Sequence, residues 1–224
     1  MEKINCSICN HSMNTHYLDV FNSESIDKCY KLVQCNKCSF IYLNPRLDSN
    51  DISSFYNSNY HPFKKSSRIY MNIQYYLFSW KRYIIESYIG SGRLLDVGSG
   101  NNNFSKYMSD NNWGVDSYDN YATSTVNDLS SVDDNYYDII TMWHSIEHIY
   151  DLDDMIYNIK RVLKKNGLLF IACPNINSID SKLLGKTWVA YDPPRHIYHF
   201  SYKTMKYYLS KNNISIIKYH RMIQ

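Results

Sequence analysis

Leu94-Leu95-Asp96-Val97-Gly98-Ser99-Gly100-Asn101-Asn102-Asn103-Phe104 is an apolar run that ends in an acid and a glycine turn, then opens into a helix-like pattern. The run reads as a strand from Arg93 to Val97, and the glycines let backbone approach a ligand closely while N–H groups at a helix start can hold an anion. Taken alone, the turn fits either a nucleotide-type cofactor loop or an ordinary βα turn. Downstream, short apolar strands alternate with helical segments: about Val115 to Asp119, Tyr137 to Trp143, Gly167 to Cys173 and Ile214 to Tyr219 as strands. A helix from Leu152 to Lys164 carries Met155, Ile156, Ile159, Val162 and Leu163 on one face. Upstream, Ser67 to Ile89 places Ile69, Ile73, Tyr76, Leu77, Trp80 and Ile84 at helical spacing, a stripe expected to cover the sheet, with Gly90 and Gly92 ending the helix. This alternation predicts an α/β fold with a doubly wound sheet, whose ligands bind beyond the carboxyl ends of the strands. Asp119, about twenty residues past the turn at a strand end, suits the ribose hydroxyls of a nucleoside, with Asp116 as its rival.

Further along come Trp143-His144-Ser145-Ile146-Glu147-His148, then Pro174-Asn175, then Gly185-Lys186-Thr187-Trp188, then Asp192-Pro193-Pro194-Arg195-His196-Ile197-Tyr198-His199-Phe200-Ser201. With the glycine turn, these landmarks resemble class I S-adenosylmethionine-dependent methyltransferases, in the branch that carries a small N-terminal cysteine zinc module and often modifies sugars. The resemblance covers nearly the whole chain and implies a Rossmann-like methyltransferase sheet. It assigns Asp96 to the methionine amino group, with Gly98, Ser99, Gly100, Asp119 and Trp143 completing the cofactor set, and Asp128 as the adenine-contacting acid. Two departures stand out. Relatives read D-x-G-x-G-x-G where this chain has Asn102 in place of the third glycine, and only eight residues separate Asp119 from Asp128, where relatives fit a helix.

Methyl transfer from a sulfonium is an in-line displacement, so an enzyme supplies proximity and, for a hydroxyl acceptor, a general base. Histidine suits that role. The candidates are Glu147 and His148 after the Tyr137 to Trp143 strand, together with His144, and His196 and His199 in the Pro-Pro-Arg-His loop, which α/β topology is expected to bring to the same end of the sheet. Arg195 fits either an acidic group on the acceptor or an internal ion pair. The expected partner is a small-molecule acceptor, a sugar or related metabolite. The alternative is a degenerate methyltransferase fold that binds or scaffolds without catalysis. A nicotinamide dehydrogenase would require glycine where Asn103 stands.

Cys6-Ser7-Ile8-Cys9 and Cys35-Asn36-Lys37-Cys38 form two C-x₂-C pairs, each half of a tetrahedral Zn²⁺ site. Four cysteines leave no open position for water, so the metal is read as structural, clamping strands from Thr15 to Phe21 and Tyr30 to Gln34. Cys29 and Cys173 are read as packed free thiols. Residues 1–44 are therefore expected to form a zinc ribbon, 45–92 a linker and helix, and 93–224 the S-adenosylmethionine-binding domain. The linker, Asn44-Pro45-Arg46 and a polar segment to Tyr60-His61-Pro62, is expected to border the cofactor pocket. The 224 residues are 44% hydrophobic with 23 tyrosines, enough for one sizeable core and a small appendage. A net charge of +3, reduced to about +1 by four thiolates and one zinc, argues against a nucleic-acid partner. No apolar run approaches the roughly 20 residues that span a bilayer, and the first residues lack a signal-peptide core, so a cytoplasmic protein is expected.

Overall fold

The structure is a computed structural model that describes residues 1–22, 25–56 and 68–220. Its elements are β1 (Asn14–Asn22), β2 (Ser25–Cys35), β3 (Ile41–Leu43), α1 (Arg68–Glu86), β4 (Arg93–Val97), α2 (Asn103–Ser109), β5 (Gly114–Tyr118), β6 (Tyr137–Trp143), α3 (Leu152–Val162), β7 (Leu163–Ala172), α4 (Ile179–Leu184), β8 (Tyr198–His199) and α5 (Tyr202–Lys211). They fall into two compact units: Met1–Ile52 with Ile146–Ile156 and Cys173–Gln224, and Ser53–Ser145 with Tyr157–Ala172. Among the described residues no helix is long and apolar enough to cross a membrane.

The second unit holds a parallel sheet in the order β5-β4-β6-β7. β4 and β6 are central, and Leu94, Leu95, Ile139 and Ile140 are fully buried, the near-continuous apolar signature of strands covered on both faces. The order turns at β4, the first strand, which carries the glycine turn at its carboxyl end; this is the switch point at which such sheets bind ligands. Beyond β5, Val126 makes a single parallel bridge to Tyr118, and the Thr125 and Val126 amides donate to the Ser117 carbonyl. The chain therefore crosses from Asp119 to Asp128 without a helix, leaving a vestige of a third strand at the sheet edge.

One side of this sheet packs a core of Ile85, Leu94, Phe104, Met108, Trp113 and Ile139, with Phe78 and Ile89 against it. The stripe expected to face the sheet from α1 does not: Ile73, Tyr76 and Leu77 are exposed, Trp80 and Ile84 half-buried. The inward line is Phe78, Ile85 and Ile89 instead. Aromatic and aliphatic residues occur all round this helix, so spacing alone offered several equivalent faces. The Ile69 side chain and the Tyr60-His61-Pro62 segment lie outside the described residues. On α3, Met155, Ile156, Ile159 and Val162 of the expected face are all buried, but the helix ends at Val162 rather than Lys164, and half-buried Leu163 begins β7.

The first unit holds an antiparallel sheet in the order β1-β2-β3-β8. A cysteine module of this size cannot build its own core. Here Phe40, Tyr42 and Leu43 pack with Tyr198, Phe200 and Tyr208 from the far end of the chain, with Phe40 and Phe200 ring centroids 4.9 Å apart. Arg46 fastens the same region, donating to Glu2 at 2.7 Å and to the Tyr198 hydroxyl at 3.0 Å. The strand expected over Ile214 to Tyr219 is not formed; those residues have no regular structure.

Candidate functional site

The glycine turn of the second unit is built by backbone geometry that few residues tolerate. Gly98 sits at φ +76° and Gly100 at +54°, in the left-handed region where a Cβ is strained. A Cβ on Gly98 would stand 2.3 Å from the Ser145 Cβ. The Gly98 amide donates to the Tyr118 carbonyl at 2.7 Å, and the Gly100 amide to Asp119 Oδ2 at 2.8 Å. Asn102, in place of the third glycine, adopts φ +58°, and its Nδ2 donates to the Thr123 carbonyl at 2.6 Å. Asparagine enters this region more easily than other side chains and here adds a tether to the loop after β5.

Asp96 is 3% exposed and accepts hydrogen bonds from Ser105 and Thr141, each at 2.8 Å. Burial raises its pKa while the two hydroxyls oppose the rise. These partners tie α2 and β6 to β4 beneath the turn. Asp119 lies at the turn itself, with Oδ1 accepting from the amides of Tyr121 and Ala122 at 2.8 and 3.0 Å. Its rival Asp116 instead accepts from the Tyr137 hydroxyl at 3.0 Å. Asp128 is fully exposed and caps the short helical turn Leu129–Ser131; hydrogen bonds from Ser130 hold its carboxyl below the usual range.

Sequence reasoning missed three contributors. Tyr56 stacks on Tyr121 at 4.0 Å between centroids, beside a shallow concavity lined by Asn101, Asn120, Tyr121, Ala122 and Thr123. Lys81 of α1 places its ammonium 4.4 Å from the Trp143 ring centre, and burial lowers its pKa to about 8 against the pull of Asp96. Buried aromatic stripes hide such a lysine from any periodicity. Ser99 Oγ, Asn102 Oδ1, Trp143 Nε1 and Ser145 Oγ are buried without a hydrogen-bond partner among the described residues. Groups of this kind around a strained glycine turn fit a polar ligand there, and S-adenosylmethionine carries the ammonium, carboxylate and hydroxyls to meet them.

In the first unit, both cysteine pairs close the same turn. Asn10 donates its amide to the Cys6 carbonyl and Ser39 to that of Cys35, and each of these two residues follows the second cysteine in a left-handed conformation. The four sulfurs lie within 4.8 Å of one another, with Cys6–Cys38 and Cys9–Cys35 each 3.5 Å apart. Sulfurs bound tetrahedrally to zinc at about 2.3 Å stand about 3.8 Å apart, so the cluster has the right size. Burial pushes the Cys6 and Cys38 thiols up, Cys38 to about 12, and only a strong cation draws such protons off. Cys29 is exposed rather than packed, whereas burial pushes the Cys173 thiol well above its ordinary value.

The same unit gathers Glu147, His148, His196 and His199. The Ile197 amide donates to the Glu147 carbonyl at 3.0 Å, pinning the two loops together. Glu147 is 1% exposed, and the His148 and His196 rings meet edge to face at 4.6 Å. Burial, helped by His196, lowers His148 to about 4 and His199 to about 3, so both are neutral near pH 7. His199 Nε2 is buried without a hydrogen-bond partner among the described residues. Arg195 clasps Asp192 at 2.6 and 2.8 Å, the internal ion pair rather than an anchor for an acceptor. His144 is exposed at the end of β6, in the second unit.

Residues 71–219 match a family model described as a methyltransferase domain. Among solved structures, the chain is similar to an S-adenosylmethionine-dependent methyltransferase from Archaeoglobus fulgidus, at 21% identity and a TM-score of 0.47, covering 60% of this chain and 68% of that one. It is also similar to a possible histamine N-methyltransferase from Thermotoga maritima, at 14% identity and 0.44 over 64% and 76%. A third likeness is to Haemonchus contortus phosphoethanolamine N-methyltransferase 2 in complex with S-adenosyl-L-methionine, at 15% identity and 0.48 over 77% and 45%. No curated protein matches it. With more than half of its length under the family model, the chain belongs to the methyltransferase-domain family and is an enzyme of that class.

Proposed function

We propose that the enzyme transfers a methyl group from S-adenosylmethionine to a hydroxyl of a small acceptor, a sugar or related metabolite, with Cys6, Cys9, Cys35 and Cys38 holding one structural zinc. The bound cofactor supplies an electrophilic methyl on a sulfonium. Gly98, Ser99 and Gly100 would hold it at the turn that Asp96 fastens, with Asp119 and Trp143 completing the set. Asp128, at an exposed cap, is given the adenine contact on resemblance alone. The acceptor proton goes to the group of Glu147, His148, His196 and His199. Its carrying observation is a buried carboxylate among three histidines, one of which, His199, has a buried Nε2 with no hydrogen-bond partner among the described residues. Burial lowers His199 to about 3, so near pH 7 its ring is neutral and can accept a proton.

The test is methyl transfer from labelled S-adenosylmethionine to a panel of sugars and sugar nucleotides. His199→Ala is expected to lower turnover by about 10²–10⁴ while leaving cofactor affinity nearly unchanged, the range for loss of a general base. Turnover within a few-fold of the parent for single replacements of His144, His148, His196 and His199 refutes the assignment.

A further inference from the structure

We propose that Glu147, His148 and His196 form a second metal site, taking one divalent transition cation through two imidazole Nε2 atoms and one carboxylate. One nitrogen of each imidazole ring and one Glu147 carboxylate oxygen lie within 4.8 Å of one another. Donors about 2.1 Å from one ion stand at most about 4.2 Å apart, so a contraction of about half an ångström closes the shell.

The hydrogen bonds around the rings set both histidines for ligation. His148 Nδ1 lies 3.0 Å from the Arg195 carbonyl and His196 Nδ1 lies 2.8 Å from the Ala190 carbonyl. A carbonyl only accepts, so in each neutral ring Nδ1 carries the proton and Nε2 keeps its lone pair. An imidazole N–H held by a backbone carbonyl is the usual outer support of a metal-bound histidine. Glu147 is 1% exposed, and Asp192 Oδ2 stands 3.9 Å from His196 Nε2. Two imidazoles and one carboxylate suit manganese, iron, cobalt, nickel or zinc better than magnesium or calcium, which prefer all-oxygen shells. The three ligands leave positions open for oxygen donors. The site stands independently of the hydroxyl-acceptor reading; should that reading hold as well, a cation here lowers the pKa of an oxygen ligand, the help that weakly basic His199 needs.

The probe is Mn²⁺, which thiolate sites take poorly, titrated into the full-length chain with its four-cysteine site loaded with zinc and followed by the electron paramagnetic resonance of free Mn²⁺. One Mn²⁺ per chain is expected below about 1 mM, with the His148 and His196 ring protons broadened first in the NMR spectrum. Glu147→Gln and His196→Gln should each weaken binding at least tenfold, while zinc content and S-adenosylmethionine affinity stay at the parent values. No binding up to 1 mM, binding that leaves both rings sharp, or equal affinity in both variants overturns the proposal. The broadening is read on the unaltered protein, so a variant that fails to fold does not shield the proposal. Loss of methyl transfer with Mn²⁺ still bound counts against the acceptor reading alone.

Discussion

Gly98 carries two constraints at once, a φ of +76° and a Ser145 Cβ only 2.3 Å from where its own would stand. A branched side chain cannot meet either without moving the turn, so Gly98→Val is expected to abolish S-adenosylmethionine binding by calorimetry in a protein that still shows native circular dichroism. Gly114→Ala, where an added Cβ meets atoms at an ordinary 3.7 Å, should leave binding intact. Lys81 gives a pH-dependent counterpart. Its folded pKa of about 8 lies below the ordinary 10.5, so the folded state penalises the charged form. The unfolded chain binds more protons between those values, and stability therefore rises with pH across that window as the buried ammonium deprotonates. Lys81→Met should stabilise the unliganded protein at pH 7 by roughly 1–3 kcal/mol, with the gain fading above about pH 10.5 in urea melts. An equal gain at pH 7 and pH 11 would assign it to packing rather than to charge.

The turn from β4 into α2 was legible in the sequence because a buried apolar strand, an acid and glycines at fixed spacing admit few geometries. The same passage concealed the purpose of Asn102, since its Nδ2 bond to the Thr123 carbonyl joins segments that only the shortened crossing after β5 brings together. Replacing Asn102 by Ala removes that bond and puts an ordinary side chain at φ +58°, an expected loss of about 1–2 kcal/mol in denaturant unfolding. Asn102→Gly should lose less, because glycine adopts the angle without strain. Longer-range features were read less well for one common reason: the sequence of an element does not say which neighbour it meets. The stripe on α1 faced outward because that helix is apolar on several sides. Ile214 to Tyr219 had strand composition but no strand to pair with among the described residues. Lys81 is invisible to patterning, since its burial depends on the Phe104 and Trp143 rings beneath its ammonium. The two cysteine turns, in contrast, were plain in the sequence because each is closed within five residues.

At the scale of the molecule, the four-cysteine cluster stands in a unit that draws on both ends of the chain. β3 begins at the residue after Phe40, whose ring packs with Tyr198 and Phe200, and its Ile41 and Tyr42 pair with His199 and Tyr198 of β8. Lys211 of α5 donates to the carbonyl of Ile8, inside the first cysteine turn, at 3.2 Å. Metal loss should therefore spread beyond the first forty or so residues into the C-terminal segments of the same unit. The parallel sheet of β4 to β7 buries its own core and makes its own ladder, so it has no such dependence. The expectation is about one zinc per chain by elemental analysis, lost on chelation under reducing conditions or in Cys35→Ser. Hydrogen exchange should then accelerate at Tyr42, Tyr198 and His199 together, while Leu95, Ile140 and Leu169 keep their protection. Faster exchange confined to residues 1–38 would show that β8 holds its place without the metal, and an unchanged pattern in zinc-free protein would remove the structural role assigned to the four cysteines.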